Sequence, residues 1–244
     1  MVRVTILGSG DAFGSGGRLH SAYLVEGPDC TFLLECGPST LQGLKRLQID
    51  TERIDFVLLS HLHGDHFGGV PFLLLEYRYE NPRTRPLVIA GPPGTERRCR
   101  TLYAALYERI AQEDPPHPVE YRELTPVPET LHGVRVSPFV VPHAAELVCH
   151  GYRIELGGRT IVFSGDTGWT DTLITASRGA DLFLLECTTY ETRLDLHLSY
   201  PEVAARASQF GAKRLVLTHL GSEPIEHLDQ LTIECARDGQ VIAL

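Results

Sequence analysis

The chain has 244 residues, 43% of them hydrophobic, which is enough for a full buried core in one α/β domain or two small ones. Its net charge of -9 argues against a protein that coats nucleic acid without sequence specificity, because neutralising phosphates requires a basic face. No apolar run reaches the ~18 residues of a membrane span, so we expect no membrane partner. No linker or low-complexity tract divides the sequence, and we predict a single domain over residues 1–244.

The N-terminal segment predicts a strand over Val4–Leu7. It has no long apolar region and no small-residue cleavage site, so it differs from a signal peptide and we expect a cytoplasmic protein. Six scattered cysteines without a Cys-x-x-Cys pair fit reduced core residues in that compartment. A glycine-rich loop over 8–17 lacks the spacing of a dinucleotide or phosphate loop, and we expect a flexible loop near the mouth of a site.

Strands and helices alternate through the next hundred residues. Ser39 and Gln42 have the spacing of a capping box, which predicts a helix that reaches the region of Gln48. The other predicted elements come from apolar periodicity and turn residues. They are a hairpin over 22–25 and 31–35, a buried strand over 54–59, a helix over 70–79, a strand over 87–90 and a helix over 95–112, with turns at 81–86 and 91–94.

The most informative stretch follows the strand over 54–59 directly. Ser60-His61-Leu62-His63-Gly64-Asp65-His66 places four candidate metal ligands in a short loop that Gly64 loosens. Three of the eleven histidines stand here with an aspartate among them, which is unlike an ordinary polar surface loop. Imidazole and carboxylate groups without a thiolate favour a catalytic zinc, manganese or iron site over a sealed structural zinc.

A six-residue cluster cannot close two metal sites alone, so the chain should supply further ligands at strand ends. His143, Asp166 and His219 each follow a run of β-forming residues and share that placement. The remaining histidines are expected to pack or to lie at the surface, with His117 exposed. They are His20, His117, His132, His150 and His227.

The H-x-H-x-D-H pattern and the three later ligands resemble the metallo-β-lactamase superfamily. The resemblance implies an αβ/βα sandwich of four layers, in which two mixed sheets are flanked by helices. It also implies two divalent metal ions, zinc with manganese or iron as alternatives. The ligand sets that it implies are His61, His63 and His143 for one ion, Asp65, His66 and His219 for the other, and Asp166 as the bridge.

Downstream, Glu186 ends an apolar run, and His197 lies just before a helix for which Ser199 and Glu202 have capping-box spacing. This arrangement resembles the ribonuclease Z branch of the superfamily. The resemblance implies that Glu186 orients His197 and that His197 protonates the leaving oxygen, while Asp65 can orient the nucleophile. A carboxylate partner fixes the tautomer of a working histidine and raises its pKa. The alternative is that Glu186 caps a strand end and His197 merely packs.

Two departures separate this chain from that branch. Its first loop keeps only Arg18 of a longer segment that bears Pro, Lys and Arg-Asn. The gap between His143 and Asp166 has room for one hairpin through Gly157-Gly158, and the arm that grips transfer RNA does not fit there. Together with the acidic net charge, these departures count against processing of transfer RNA precursors.

The sequence therefore predicts a dinuclear metal-dependent hydrolase in which a hydroxide shared by two ions attacks its substrate. We expect a phosphodiesterase for a small anionic substrate, cyclic phosphodiesters included. A lactonase or thioesterase on the same metal pair is the alternative, and an RNA-processing nuclease of the ribonuclease Z type is less favoured. A scaffold that only binds is a third hypothesis, against which the filled ligand positions speak. A homodimer stays open, because no apolar stripe marks an interface.

Overall fold

The computed structural model describes residues 1–244 and contains fourteen strands and seven α-helices. The strands are β1 (Arg3–Gly8), β2 (Ala22–Glu26), β3 (Thr31–Leu34), β4 (Phe56–Leu58), β5 (Leu87–Gly91), β6 (Val119–Glu123), β7 (Glu129–Leu131), β8 (Val134–Val140), β9 (His150–Leu156), β10 (Arg159–Phe163), β11 (Leu182–Glu186), β12 (Leu215–Thr218), β13 (Glu234–Cys235) and β14 (Val241–Ala243). The helices are α1 (Thr40–Arg46), α2 (Gly64–Phe67), α3 (Val70–Tyr79), α4 (Thr95–Leu106), α5 (Thr172–Ser177), α6 (Tyr200–Arg206) and α7 (Ser222–Glu226).

Two seven-stranded sheets form the centre of the molecule. The strand orders are β14-β1-β2-β3-β4-β5-β6 and β13-β12-β11-β10-β9-β8-β7. In the first sheet β3, β4, β5 and β6 run parallel, and in the second β10, β11, β12 and β13 do so, while the remaining pairs are antiparallel. The predicted sandwich of two mixed sheets is thus confirmed.

Three apolar clusters account for the layering. The largest lies between the sheets, and the other two lie between each sheet and its own helices. In β4, Phe56 and Leu58 face the cluster between the sheets, whereas Val57 packs against helices of the first half. A strand that is buried on both faces carries a continuous apolar run, which explains why the segment over 54–59 is almost entirely apolar.

Several local predictions are wrong. The helix predicted over 95–112 ends at Leu106, since Tyr107 leaves helical backbone angles, and a separate 3-10 turn follows at Ile110–Gln112. Neither predicted capping box forms. The hydroxyl of Ser39 instead accepts a hydrogen bond from the backbone N–H of His20, at 2.8 Å.

His117 also contradicts its prediction. It is 2% exposed and packs edge-on against the ring of Tyr77, with 5.5 Å between ring centroids. Burial, followed by the positive charge of Arg83, lowers the pKa of its imidazole and keeps it neutral. The preceding residues Pro115 and Pro116 are exposed, and their turn-like sequence gives no sign that the chain folds back over α3.

None of the seven helices has the length and apolar character of a membrane span.

The turn over 81–86 is anchored by a buried arginine. Arg83 is 1% exposed, and its guanidinium donates hydrogen bonds to the carbonyl oxygens of Arg85 (2.9 Å), Pro86 (2.7 Å) and Glu52 (3.3 Å). The guanidinium also lies over the ring of Tyr77, 5.1 Å from its centroid. Because this turn leads into the N-terminal end of β5, it lies at the edge of the sheet opposite the strand ends that carry the candidate ligands.

We expect Arg83→Leu to lower the free energy of unfolding by about 2–4 kcal/mol, because it removes a buried charged group that donates hydrogen bonds to three backbone carbonyl oxygens. Chemical denaturation of wild type and variant would measure the difference. Arg109→Leu is the matched control, since the Arg109 side chain is 93% exposed and its removal should change stability by at most about 0.5 kcal/mol. Equal effects of the two substitutions would contradict an anchoring role for Arg83.

Candidate metal centre

The site lies at the edge where parallel strands of both sheets end. His61 and His63 follow β4, Asp166 follows β10 and His219 follows β12. Side chains at the carboxyl ends of neighbouring parallel strands converge, which is why this edge is the usual place for sites in open α/β sheets. His143 joins them from the segment after β8.

Asp65 and His66 reach the site from a short helix rather than from a loop. The sequence predicted a loosened loop at Gly64, but α2 begins at that residue, and the backbone carbonyl of His63 accepts hydrogen bonds from His66 and Phe67. The helical turn places Asp65 and His66 side by side, with 3.2 Å between Asp65 Oδ2 and His66 Nε2.

All seven predicted ligands come together. Two sets have candidate ligand atoms within 4.8 Å of one another: His61, His63 and His143 form the first set, and Asp65, His66, Asp166 and His219 form the second. In the first set 3.0 Å separates His63 Nδ1 from His143 Nε2, and in the second 3.2 Å separates Asp65 Oδ2 from His219 Nε2.

One carboxylate oxygen connects the two sets. Asp166 Oδ2 lies 3.2 Å from His66 Nε2 and 3.3 Å from His219 Nε2. The same atom lies 3.7 Å from His143 Nε2 and 3.9 Å from His61 Nε2. This central position is the one that a carboxylate shared between two cations requires.

The donor set fits a bound metal. His61 Nε2 is buried without a hydrogen-bond partner, and buried polar atoms are rarely left so. Burial, with further contributions from nearby imidazoles, keeps the pKa of His61 well below its usual value, so its lone pair is free to bind a cation. Neutral imidazoles and carboxylates without thiolate suit zinc, manganese or iron.

The charges in the second set give the same indication. Burial lowers the pKa of His219, but the Asp166 charge and the Asp65 hydrogen bond outweigh it and raise that pKa to about 9. The same balance of burial against Asp166 and Asp65 holds the pKa of His66 well above its usual value. The two carboxylates therefore demand positive charge in a buried place, which protons on the imidazoles or divalent cations can provide.

Hydrogen bonds on the far side of the imidazoles set their orientation. His143 Nδ1 donates to the carbonyl oxygen of Leu196, and His61 Nδ1 bonds the Ser60 hydroxyl, both at 3.0 Å. Such partners turn the Nε2 atoms toward the centre. Asp55 and Thr218 also lie next to ligand-bearing segments, but both bond elsewhere. Asp55 accepts from the backbone of Thr31 before β4, and the Thr218 hydroxyl bonds Tyr23.

The sequence analysis missed Glu35, which is fully buried and holds a positive φ of 65°. Its Oε1 accepts a hydrogen bond from the backbone N–H of Ser60 at 2.9 Å, and its Oε2 lies 3.6 Å from His66 Nδ1. A signal was present: Leu-Leu-Glu-Cys occurs at 33–36 and again at 184–187, so Glu35 occupies the place in the first half that Glu186 has in the second.

Glu186 and His197 stand beside this cluster as the sequence predicted. Glu186 is 1% exposed, and its Oε1 accepts hydrogen bonds from His197 Nδ1 at 2.8 Å and from the backbone of Thr167 at 2.9 Å. Burial lowers the pKa of His197, but the bond to Glu186 outweighs it and raises the pKa above the usual value. A ring nitrogen of His197 lies within 4.8 Å of ligand atoms of His143 and Asp166.

Thr188, also missed, joins His197 and Glu186 to the metal cluster. Its hydroxyl donates to Glu186 Oε2 at 2.8 Å and lies 3.0 Å from His219 Nδ1 and 3.1 Å from His197 Nδ1. Since the hydroxyl hydrogen goes to the carboxylate, the oxygen accepts from the N–H of His219. One carboxylate therefore orients both His197 and, through Thr188, a candidate ligand.

The glycine-rich loop lies next to His219, as expected, but it is held by specific bonds. The backbone carbonyl of Ser9 accepts from Leu220 at 3.2 Å, and Asp11 caps the backbone N–H of Ser15 at 3.0 Å. Arg18 donates to the Ser9 hydroxyl and to the carbonyl of Ala236, both at 2.6 Å. These contacts make Arg18 a brace of the loop.

A family model for a beta-lactamase superfamily domain matches residues 31–220. The chain belongs to this superfamily. Ribonuclease Z from Mycobacterium bovis is 30% identical over 240 residues, which cover 90% of this chain and 86% of that protein. The short form of human tRNase Z is 26% identical, with a TM-score of 0.79 and coverage of 99% of this chain and 98% of that one.

A diphosphatase from the PhnP family has the same fold as this chain. The TM-score is 0.80 at 20% identity, and the match covers 100% of this chain and 98% of the diphosphatase. Family and relatives make the chain a metal-dependent hydrolase that is ribonuclease Z-like, as the sequence predicted.

We expect purified wild type to bind about two zinc ions per chain, because two ligand sets are complete. Asp166→Ala should reduce bound zinc more than His219→Ala, since Asp166 Oδ2 lies 3.2–3.9 Å from imidazole nitrogens of both sets. Metal analysis after equilibrium dialysis would measure the ratio. His227→Ala is the control, because the His227 ring stacks on Tyr190 at 4.2 Å and belongs to neither set. Equal zinc loss in the two site variants would contradict a shared carboxylate.

We expect Thr188→Val to weaken zinc affinity by about 10–100-fold, as loss of an outer hydrogen bond to a ligand does. Thr188→Ser should restore most of the affinity. Thr189→Val is a close control, because the Thr189 hydroxyl is buried without a partner. Competition with a chromogenic chelator would measure the affinities, and wild-type affinity in Thr188→Val would show that His219 needs no such partner.

Proposed function

We propose that the protein is a phosphodiesterase that hydrolyses a small phosphodiester at a pair of divalent metal ions, with zinc as the expected metal. The observation that carries the proposal is the His197–Glu186 pair beside the ligand cluster. A buried carboxylate at 2.8 Å holds Nδ1 of His197, and the ring reaches within 4.8 Å of Asp166. That is the arrangement of a general acid next to the reacting centre.

In the proposed reaction, seven side chains would hold the two ions. The first ion would be held by His61, His63 and His143, the second by Asp65, His66 and His219, and Asp166 would touch both. Such ions supply an activated water at neutral pH and neutralise charge on phosphoryl oxygens. Asp65 lies at the boundary of the cluster, with its side chain 11% exposed, and can accept a hydrogen bond that orients the attacking water.

His197 supplies the proton that the departing oxygen needs. With Nδ1 bonded to Glu186, the opposite ring nitrogen is the one free to donate. The side chain is 21% exposed, so it is open to a substrate. An alkoxide leaving from phosphorus is a poor leaving group without a proton, whereas a thioester releases a stable thiolate. The pair therefore favours a phosphodiester over the thioesterase alternative.

Two further observations favour a small substrate. Strands β9 and β10 pair antiparallel across Gly157-Gly158, so a tight hairpin fills the gap between His143 and Asp166. This hairpin has no room for the arm expected of enzymes that grip transfer RNA. The net charge of -9 also disfavours a polyanionic substrate. The relatives named ribonuclease Z and tRNase Z keep RNA processing as the competing proposal.

The test compares wild type and His197→Ala on a bis-aryl phosphate diester, a dialkyl phosphate diester, an aryl ester and a lactone. We expect the variant to lose about 10²–10⁴-fold in rate on the diester with the poor alkoxide leaving group, and less on the aryl diester, because phenolates need less protonation. His132→Asn is the control, since His132 is exposed and Asn tolerates its positive φ of 46°.

Ester or lactone turnover that exceeds diester turnover and ignores the His197 substitution would refute the proposal in favour of a carbon-ester hydrolase. Efficient cleavage of a transfer RNA precursor, with slow turnover of every small diester, would instead support the RNA-processing alternative.

A further inference from the structure

A cavity of about 450 Å³ opens beside His197. Its size falls in the ~300–1,000 Å³ range of small-molecule pockets. Three parts of the chain form its walls: Trp169, which follows the candidate ligand Asp166; the segment over 193–197; and the face of α6 that carries Ala205 and Arg206. His197 belongs both to this cavity and to the reacting centre, so the cavity continues directly from the site.

The position of His197 determines which part of a substrate enters the cavity. The reacting phosphorus must lie near Asp166, and the departing oxygen must lie near His197, which protonates it. Whatever group that oxygen carries then extends past His197. The cavity is therefore the place for the leaving-group half of the substrate.

The walls indicate what that group is. Trp169 is half-buried, and the guanidinium of Arg206 stacks on its ring at 4.3 Å from the centroid. The indole N–H donates to Asp171 at 3.1 Å, which fixes the ring plane. Arg193 at the rim is exposed and makes no salt bridge or hydrogen bond, so its donors are free for a ligand. A fixed indole edge with free guanidinium donors suits a planar heteroaromatic ring.

The backbone holds these walls against each other. A Cβ atom at Gly168 would lie 2.0 Å from the carbonyl oxygen of Asp195, so only glycine lets the segment over 193–197 pack next to Trp169. This close contact fixes the distance between the indole and the rim.

We propose that this cavity binds a nucleoside, with Trp169 and Arg193 as specificity-determining residues, and that the substrate is a nucleoside cyclic phosphate. The inference rests on the proposed phosphodiesterase function. In a cyclic nucleotide both ester oxygens belong to the nucleoside, so either leaving oxygen carries the base into the cavity. Water adds to phosphorus, one P–O bond to the ribose breaks, and the ribose oxygen takes the proton of His197, which leaves a nucleoside monophosphate.

The test compares adenosine 2′,3′-cyclic phosphate with glycerol 1,2-cyclic phosphate, which has the same kind of reacting ring but no base. We expect zinc-loaded wild type to prefer the nucleotide. Trp169→Leu should lower kcat/KM for the nucleotide about tenfold, mainly through KM, because the edge-to-face contact of the indole with the base is lost. The variant should slow turnover of the glycerol compound much less than that of the nucleotide, and Trp169→Phe should keep most of the preference.

Trp169 is the only tryptophan, so its fluorescence reports on the cavity directly. Adenosine monophosphate should quench it saturably in wild type and more weakly in Arg193→Gln, whereas glycerol phosphate should not. Tyr79→Leu is the matched aromatic control, because Tyr79 is 60% exposed on α3 and does not line this cavity.

The outcomes separate the two proposals. If wild type hydrolyses both cyclic phosphates equally well, or if Trp169→Leu slows both alike, the nucleoside inference is wrong and the phosphodiesterase proposal stands. If wild type hydrolyses neither phosphate but does hydrolyse a lactone, both proposals are wrong.

Discussion

The buried carboxylate of Asp166 is the feature on which the rest of the site depends. It is 3% exposed, and a charge so far from water is costly unless cations surround it. Imidazoles of both ligand sets meet its Oδ2 atom at 3.2–3.9 Å. No single sheet can supply them all, because His61 and His66 come from the first half of the chain and His219 from the second. The sandwich is the architecture that brings both halves to one oxygen.

The two halves meet this requirement with the same local device. Leu-Leu-Glu-Cys ends β3 and recurs at the end of β11, and each glutamate accepts a hydrogen bond from the backbone that follows the neighbouring parallel strand. Glu35 thereby fixes Ser60 just before His61, and Glu186 fixes Thr167 just after Asp166. Buried carboxylates on fixed backbone N–H groups keep the ligand-bearing turns rigid, and rigid turns are needed for a preorganised site. The positive φ values of Glu35 and His219 show the strain that this arrangement imposes.

The strand ends and the types of candidate ligand could be predicted from the sequence. Candidate ligands follow β-forming runs, and residues at the ends of neighbouring parallel strands converge at the sheet edge. That single regularity predicted the meeting of His61, Asp166 and His219. The residues that hydrogen-bond to the candidate ligands could not be predicted in that way. Thr188 is 31 positions from His219, and Leu196 holds His143 through its backbone carbonyl, which has no side-chain signature. Contacts of this kind depend on the three-dimensional path of the loops.

Two of the failed local predictions have the same origin. Ser39 stands at the right position for a helix cap, but its hydroxyl accepts a hydrogen bond from the backbone N–H of His20, which lies outside the helix. His117 sits between prolines in a polar stretch, yet the edge of its ring packs on Tyr77. In both cases a tertiary partner outweighs a local preference of about 1 kcal/mol, which is the usual scale of a helix cap. The prediction of one domain over residues 1–244 stays a prediction.

The segment over 193–197 connects the proposed nucleoside cavity to the candidate metal centre. Its backbone carbonyl at Leu196 orients His143, its His197 bonds Glu186, and its Asp195 packs on Gly168 beside the cavity. A change in this segment that reshapes the cavity must therefore also shift a candidate ligand or His197. Residues that line the cavity from outside the segment, such as Trp169 and Arg206, carry no bond to a ligand side chain. Under the proposed function, substrate preference can therefore change through Trp169 and the face of α6 without moving a candidate ligand, whereas a change in the loop before α6 also moves His197 or the partner of His143.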